Sequence, residues 1–198
     1  MNTRNKRFAA IGAALAAVLV SGAALAQEGT VQADTQRDVN QQNRIEQGLQ
    51  SGQLSTKEAG QLERQEKHVD NIQARDLKNG SVSPAEQQRL NAAQSRVSQD
   101  VYADKHNGVT GNPDSKSSRR MQADVQRNAN QEQRIENGEK AGQLNNRQVG
   151  RLEHGQAKVD RKEANAAANG HVGGGEQARI QGSENHQSHR VHHARKEG

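Results

Sequence analysis

The segment QNRIEQGLQSGQL (42–54) returns 90 positions later as EQRIENGEKAGQL (132–144). Carried from residue 32 to residue 108, that offset pairs 29 identical residues in 77 positions, far more than chance allows. The chain is therefore two copies of one unit, and any fold it adopts has to be satisfied twice. Between the copies, KHNGVTGNPDSKSSRR (105–120) has the Gly, Asn-Pro, Asp and Ser content of a linker.

Each copy has a weaker internal period of 28. SGQLSTKEAGQL (51–62) aligns with NGSVSPAEQQRL (79–90), and the second copy repeats both as AGQLNNRQVGRL (141–152) and NGHVGGGEQARI (169–180). Between these turns, aliphatics recur at helical spacing: Val39, Ile45, Leu49; then Leu62, Val69, Ile72, Leu77; then Leu90, Val97, Val101. The pattern predicts helices at 33–49, 56–78 and 84–104, with counterparts at 122–140, 146–168 and 176–195. Strand alternation is absent. The expected fold is all-α: two tandem copies of a three-helix unit built as helical hairpin repeats, 27–104 and 121–168.

The turns carry helix punctuation. Ser55 with Glu58 and Ser83 with Glu86 are S-x-x-E capping boxes, and Pro84 fits the first helical position. Asn145 with Gln148 is a weaker box. Gly52, Gly80 and Gly142 suit the left-handed residue that stops a helix. The back half of each turn also resembles the calcium loop of the EF-hand family. With Gly80 at loop position 6, Val82 takes position 8 and Glu86 position 12. The resemblance implies oxygen ligands at positions 1 and 3, where this chain has Arg75 and Leu77. The turns thus look like degenerate EF-hand half-loops, and calcium is not expected there.

The first 26 residues read as an export signal. Arg4, Lys6 and Arg7 precede an apolar Ala-rich run, and Ala24–Ala26 is a small-x-small cleavage signature. A periplasmic or secreted address follows, with no membrane span after cleavage. The chain has 28 Lys+Arg against 23 Asp+Glu; without those three basic residues, 25 face 23. So small an excess, with Tyr102 as the only aromatic beyond the signal, argues against nucleic acid as a partner. With no cysteine, there is no disulfide framework. Few large apolar residues predict a thin, extended helical structure without an enclosed pocket.

The second copy replaces Leu49 by Glu139, Ile72 by Lys162, Leu77 by Ala167, Val97 by Gln187 and Tyr102 by His192. These positions read as core, so 169–198 is expected to be a weakly ordered, His-rich basic tail. In HQSHRVHH, His186, His189 and His193 share one helical face. With His192 and His171 they form a candidate metal site for Zn, Ni or Cu.

Catalysis has no support in the sequence: there is no cysteine nucleophile and no glycine-rich phosphate loop, and His68 and Asp70 read as helix-surface residues. The functional expectation is a non-enzymatic exported protein that binds or buffers transition metals through the His cluster. The alternatives are an envelope stress or scaffold protein whose helices bind a partner protein, and an EF-hand-like protein with weak or no calcium binding.

Overall fold

The computed structural model describes residues 21–198, with side chains from residue 30 on. Residues 1–20 of the expected export signal lie outside the described residues. The fold is all-helical. Helix α1 spans Ser21–Ser51, α2 Thr56–Asp76, α3 Pro84–Lys105, α4 Lys116–Lys140, α5 Asn146–Ala166 and α6 Gly174–Glu197. Short 3-10 turns, Leu77–Asn79 and Ala167–Asn169, finish α2 and α5. No described helix is long and apolar enough to cross a membrane.

Side-chain hydrogen bonds start the helices. The Ser55 hydroxyl accepts from the Glu58 amide at 3.3 Å, and the Ser55 amide donates to the Glu58 carboxylate at 2.9 Å. Ser83 with Glu86 does the same at 3.3 and 2.8 Å, and Asn145 with Gln148 at 3.1 and 2.9 Å. Each box satisfies donors that a helix start leaves without intrahelical partners. At Gly80 the backbone turns left-handed, φ +89°, where a side chain would strain it. Gly52, Gly142 and Gly170 repeat that geometry in the other three turns.

The largest packing surfaces join the copies to each other. α2 lies along α5 and α1 along α4, while α3 and α6 each cover two helices of their own copy. Gly60, near the start of α2, meets Ala167 just past the end of α5. Gly150, near the start of α5, lies where an added Cβ would stand 2.8 Å from the Leu77 Cβ just past the end of α2. The two helices therefore run antiparallel at close approach. α1 and α4 are antiparallel as well: Val31 shares a cluster with Ile135 and Leu144, while the Leu49 carbonyl accepts from Gln122. The 90-residue offset exchanges these contacts, as an approximate two-fold axis does. Separate hairpin repeats are thus not what packs; the copies interlock.

Three expectations are corrected here. The linker is shorter than 105–120, because Ser115 caps α4 and the helix begins at Lys116. Its Gly111 amide donates to the Gly52 carbonyl at 2.8 Å, tying it to the first turn. Tyr102 is 68% exposed and lies against His106, so it contributes nothing to the core. The expected loose tail is α6. Ile180 and Val191 remain buried in it, the buried Gln187 amide donates to the Leu152 carbonyl at 2.8 Å, and Ala167 fills the space over Gly60. A satisfied amide and a short side chain meeting glycine keep that part of the structure packed despite the lost aliphatics.

Candidate metal centre

The face that α2 turns toward α5 is polar. It holds Glu63, Glu66, Asp70 and Gln73, spaced i, i+3, i+7 and i+10, on one helical stripe. α5 repeats the stripe with Glu153, Gln156, Asp160 and Glu163. α1 adds Asp38 and Gln42; α4 adds Asn128 and Glu132. All twelve side chains are buried. Gly60 and Gly150 allow the α2 and α5 backbones to approach, which brings the two stripes together.

Two carboxylate triads result. Glu63, Asp160 and Glu163 each place an oxygen within 4.8 Å of the others, and so do Asp70, Glu132 and Glu153. The 90-residue offset carries Glu63 to Glu153 and Asp70 to Asp160, so each triad has the same Glu–Asp pair. The third member differs. The first triad takes Glu163 from α5, the mate of Gln73; the second takes Glu132 from α4, the mate of Gln42. Gln42 donates to Glu63 at 3.1 Å, and Asn128 to Glu163 at 2.7 Å. Gln73 donates to Asp38 at 2.6 Å. Asp70 and Asp160, mates under the offset, lie close enough to share a proton and so join the two triads.

Among the described residues no cation is paired with a triad member. The ion pairs among the described residues are Arg75–Asp76, Arg127–Glu184 and Lys140–Glu136, none of which involves a triad member. Burial, and then mutual repulsion, raises Glu66, Asp70, Glu132 and Glu153 well above the usual carboxylate range. Asp160 and Glu163 rise for the same reason. Burial pushes Asp38 and Glu63 to about 7, and Asp124 and Glu139 to about 8. A buried carboxylate without a counter-charge must either bind a proton or face a cation.

A second feature points to a ligand. Gln156 is 1% exposed and its amide lies against Glu132, and its side-chain oxygen meets no donor. Both Glu153 oxygens are also buried without a donor. Folded proteins rarely leave such groups unmatched, and a bound cation would use the free oxygens. Carboxylate and amide oxygens with no imidazole or thiolate suit hard divalent ions: Mg²⁺, Mn²⁺ or Ca²⁺.

The residues singled out in the sequence lie elsewhere. His186, His189, His192 and His193 are exposed on α6, and His171 is exposed in the turn before it. The three-residue ligand groups found among the described residues contain carboxylates alone. Gly52, Ser55, Glu58, Gly80, Ser83, Pro84, Glu86, Gly142 and Asn145 occupy the helix turns, where the Glu58 and Glu86 carboxylates accept from the cap residues. Asp70, read as a surface residue, is 3% exposed. The signal for the centre was present: acids at i, i+3 and i+7 on the stripe, kept in both copies at Glu63/Glu153 and Asp70/Asp160. Of these, only Asp70 is singled out from the sequence, as a residue of the helix surface. No protein-family model matches the chain, and neither a curated protein nor a solved structure matches it.

Proposed function

We propose that this is a non-enzymatic exported protein that binds hard divalent cations in the carboxylate core between α2 and α5. The observation that carries the reading is the pair of buried triads, Glu63/Asp160/Glu163 and Asp70/Glu132/Glu153, with no cation among the described residues paired to them. Export rests on the basic–apolar–ALA order of residues 1–26. The tandem duplication accounts for two sites of related but unequal composition. Binding would be coupled to fold stability, because each ion replaces protons or relieves repulsion between helices.

Calorimetric titration of the chelator-treated protein with MnCl₂ and CaCl₂ at pH 7.5 tests this. The expected result is binding accompanied by proton release, reduced in the Asp70→Asn/Glu132→Gln/Glu153→Gln variant and lost when Glu63→Gln/Asp160→Asn/Glu163→Gln is added to it. Binding that survives the combined change but disappears when His186, His189 and His193 are replaced by Ala would transfer the function to the α6 histidines and to Zn, Ni or Cu. Absence of binding by either set would leave protons as the neutralising partner and overturn the cation reading.

A further inference from the structure

A cavity of about 800 Å³ lies between α2 and α3, away from the carboxylate core. Its floor is Val69, Ile72, Ala93 and Val97, and most of its wall is apolar. Basic side chains line both sides: Arg64, His68 and Arg75 on α2, Arg89 and Arg96 on α3. All five are exposed. Arg75 is paired with Asp76, but no hydrogen bond or ion pair engages the Arg64, Arg89 or Arg96 guanidinium. A second basic cavity, between α2, α5 and α6, differs in this respect. There Arg147 donates to the Asn79 carbonyl and Arg190 to the Arg151 carbonyl, so those guanidiniums already serve the fold.

The duplicate shows that the groove is wide and apolar in one copy alone. At the equivalent α5–α6 seam, Lys162 stands for Ile72 and Gln187 for Val97, which makes the floor polar. Gly155, the counterpart of Gln65, lets Gln187 and Arg190 press onto α5. In the first copy Gln65 keeps its side chain and the seam stays open. The same architecture therefore narrows one seam, to a cavity of about 260 Å³ beside Lys162 and Arg179, and leaves the other wide, apolar below and basic at both edges.

We infer that the α2–α3 groove binds a single-chain anionic amphiphile, with its aliphatic chain on Val69, Ile72 and Val97 and its carboxylate or phosphate held by Arg64 and Arg96 at one end. The volume lies within the ~300–1,000 Å³ of small-molecule clefts. Guanidinium groups offer forked donors to either head group. An inorganic anion leaves the floor unused, and a cationic amphiphile meets repulsion from both edges.

Calorimetry on the full chain tests this, with laurate and dodecyl phosphate below their micellar concentrations, against inorganic phosphate and dodecyltrimethylammonium. One or both anionic amphiphiles should bind; the arm that binds tighter identifies the head group. Phosphate alone and the cationic amphiphile should bind at least about tenfold more weakly. Arg64→Glu/Arg96→Glu should reduce affinity by about tenfold or more with helicity unchanged, since both side chains are exposed. Ile72→Lys installs the residue already accommodated at Lys162, and should weaken binding with the fold retained. Equal binding of the cationic amphiphile, equal binding of inorganic phosphate, or indifference to both variants would each overturn the inference. The carboxylate-core variant Asp70→Asn/Glu132→Gln/Glu153→Gln should bind the amphiphile normally, which separates this site from the cation reading.

Discussion

The two copies share a polar stripe and differ in their aliphatics. Glu63 and Glu153, Asp70 and Asp160, Asp34 and Asp124, and Gln87 and Gln177 match across the duplication. Leu49/Glu139, Ile72/Lys162 and Val97/Gln187 do not. In an ordinary bundle, apolar positions are the ones a duplicate should hold to, because each buried aliphatic is worth about 1.5–3 kcal/mol. Here every stripe position stays acid or amide in both copies, although Glu66/Gln156 and Gln73/Glu163 exchange one for the other. Three aliphatics become polar, even as Ile45/Ile135, Leu62/Leu152 and Val69/Val159 are kept. The inward face of α2 and α5 is thus organised around oxygen atoms, and aliphatics seal its ends and flanks.

The largest effect should come from the helix approach common to both copies. Gly60→Val places branched carbons against Ala167 and should destabilise the protein by about 3 kcal/mol, measured by urea unfolding. Gly150→Val, facing Leu77, should cost about as much. A clearly smaller loss at either position would break the symmetry drawn between the α2 and α5 crossings.

Next in size is the dependence on pH. The folded pKa values of Asp38 and Glu63 are raised to about 7, and those of Asp124 and Glu139 to about 8. Such groups are neutral in the folded chain at a pH where the unfolded chain has already ionised, so their contribution is fully present below about pH 4. It is lost as pH rises through the folded values. The cation-free protein should therefore melt at lower temperature at pH 8 than at pH 5, and millimolar Mn²⁺ should restore much of the loss at pH 8. A melting temperature that rises from pH 5 to pH 8 without cation would contradict the buried-acid core.

The triads can also be compared with each other. Glu63→Gln/Asp160→Asn/Glu163→Gln and Asp70→Asn/Glu132→Gln/Glu153→Gln remove one carboxylate set each. Each should raise the cation-free melting temperature at pH 8 by several degrees and reduce the Mn²⁺ effect, measured by scanning calorimetry. Unequal reductions would rank the two sites.

The smallest test concerns the caps. α3 begins with the Ser83–Glu86 box, while its counterpart α6 has Gly173 in the cap position with an extended backbone, φ −79° and ψ 165°. Glu176 already accepts from the Gly173 amide at 2.8 Å. Gly173→Ser supplies the missing hydroxyl and should stabilise by about 0.5 kcal/mol, whereas Ser83→Ala should cost about 1 kcal/mol in chemical denaturation.

Much of the helical order was legible in the residues. S-x-x-E boxes, glycine stops and the 3.6-residue period are local, and they place α2, α3 and α5 to within two residues of the helices now seen. The two-copy organisation followed from direct identity. Packing across the duplication was not legible, because the same aliphatic stripes serve a self-contained hairpin or an interlocked pair equally well. The centre was hidden for a related reason. Read singly, Glu63, Asp70, Glu153 and Asp160 are surface residues by charge, and only a partner helix bearing the same stripe makes burying them together coherent.

The sequence by itself therefore determined the helices, their ends and the duplication, since each depends on interactions within a few residues or on identity across copies. The tertiary structure decided which face turned inward. Gly60 and Gly150 permit an approach that carries two acidic stripes into one dry interior, and there a carboxylate behaves according to its neighbours and lack of solvent, no longer according to its residue type.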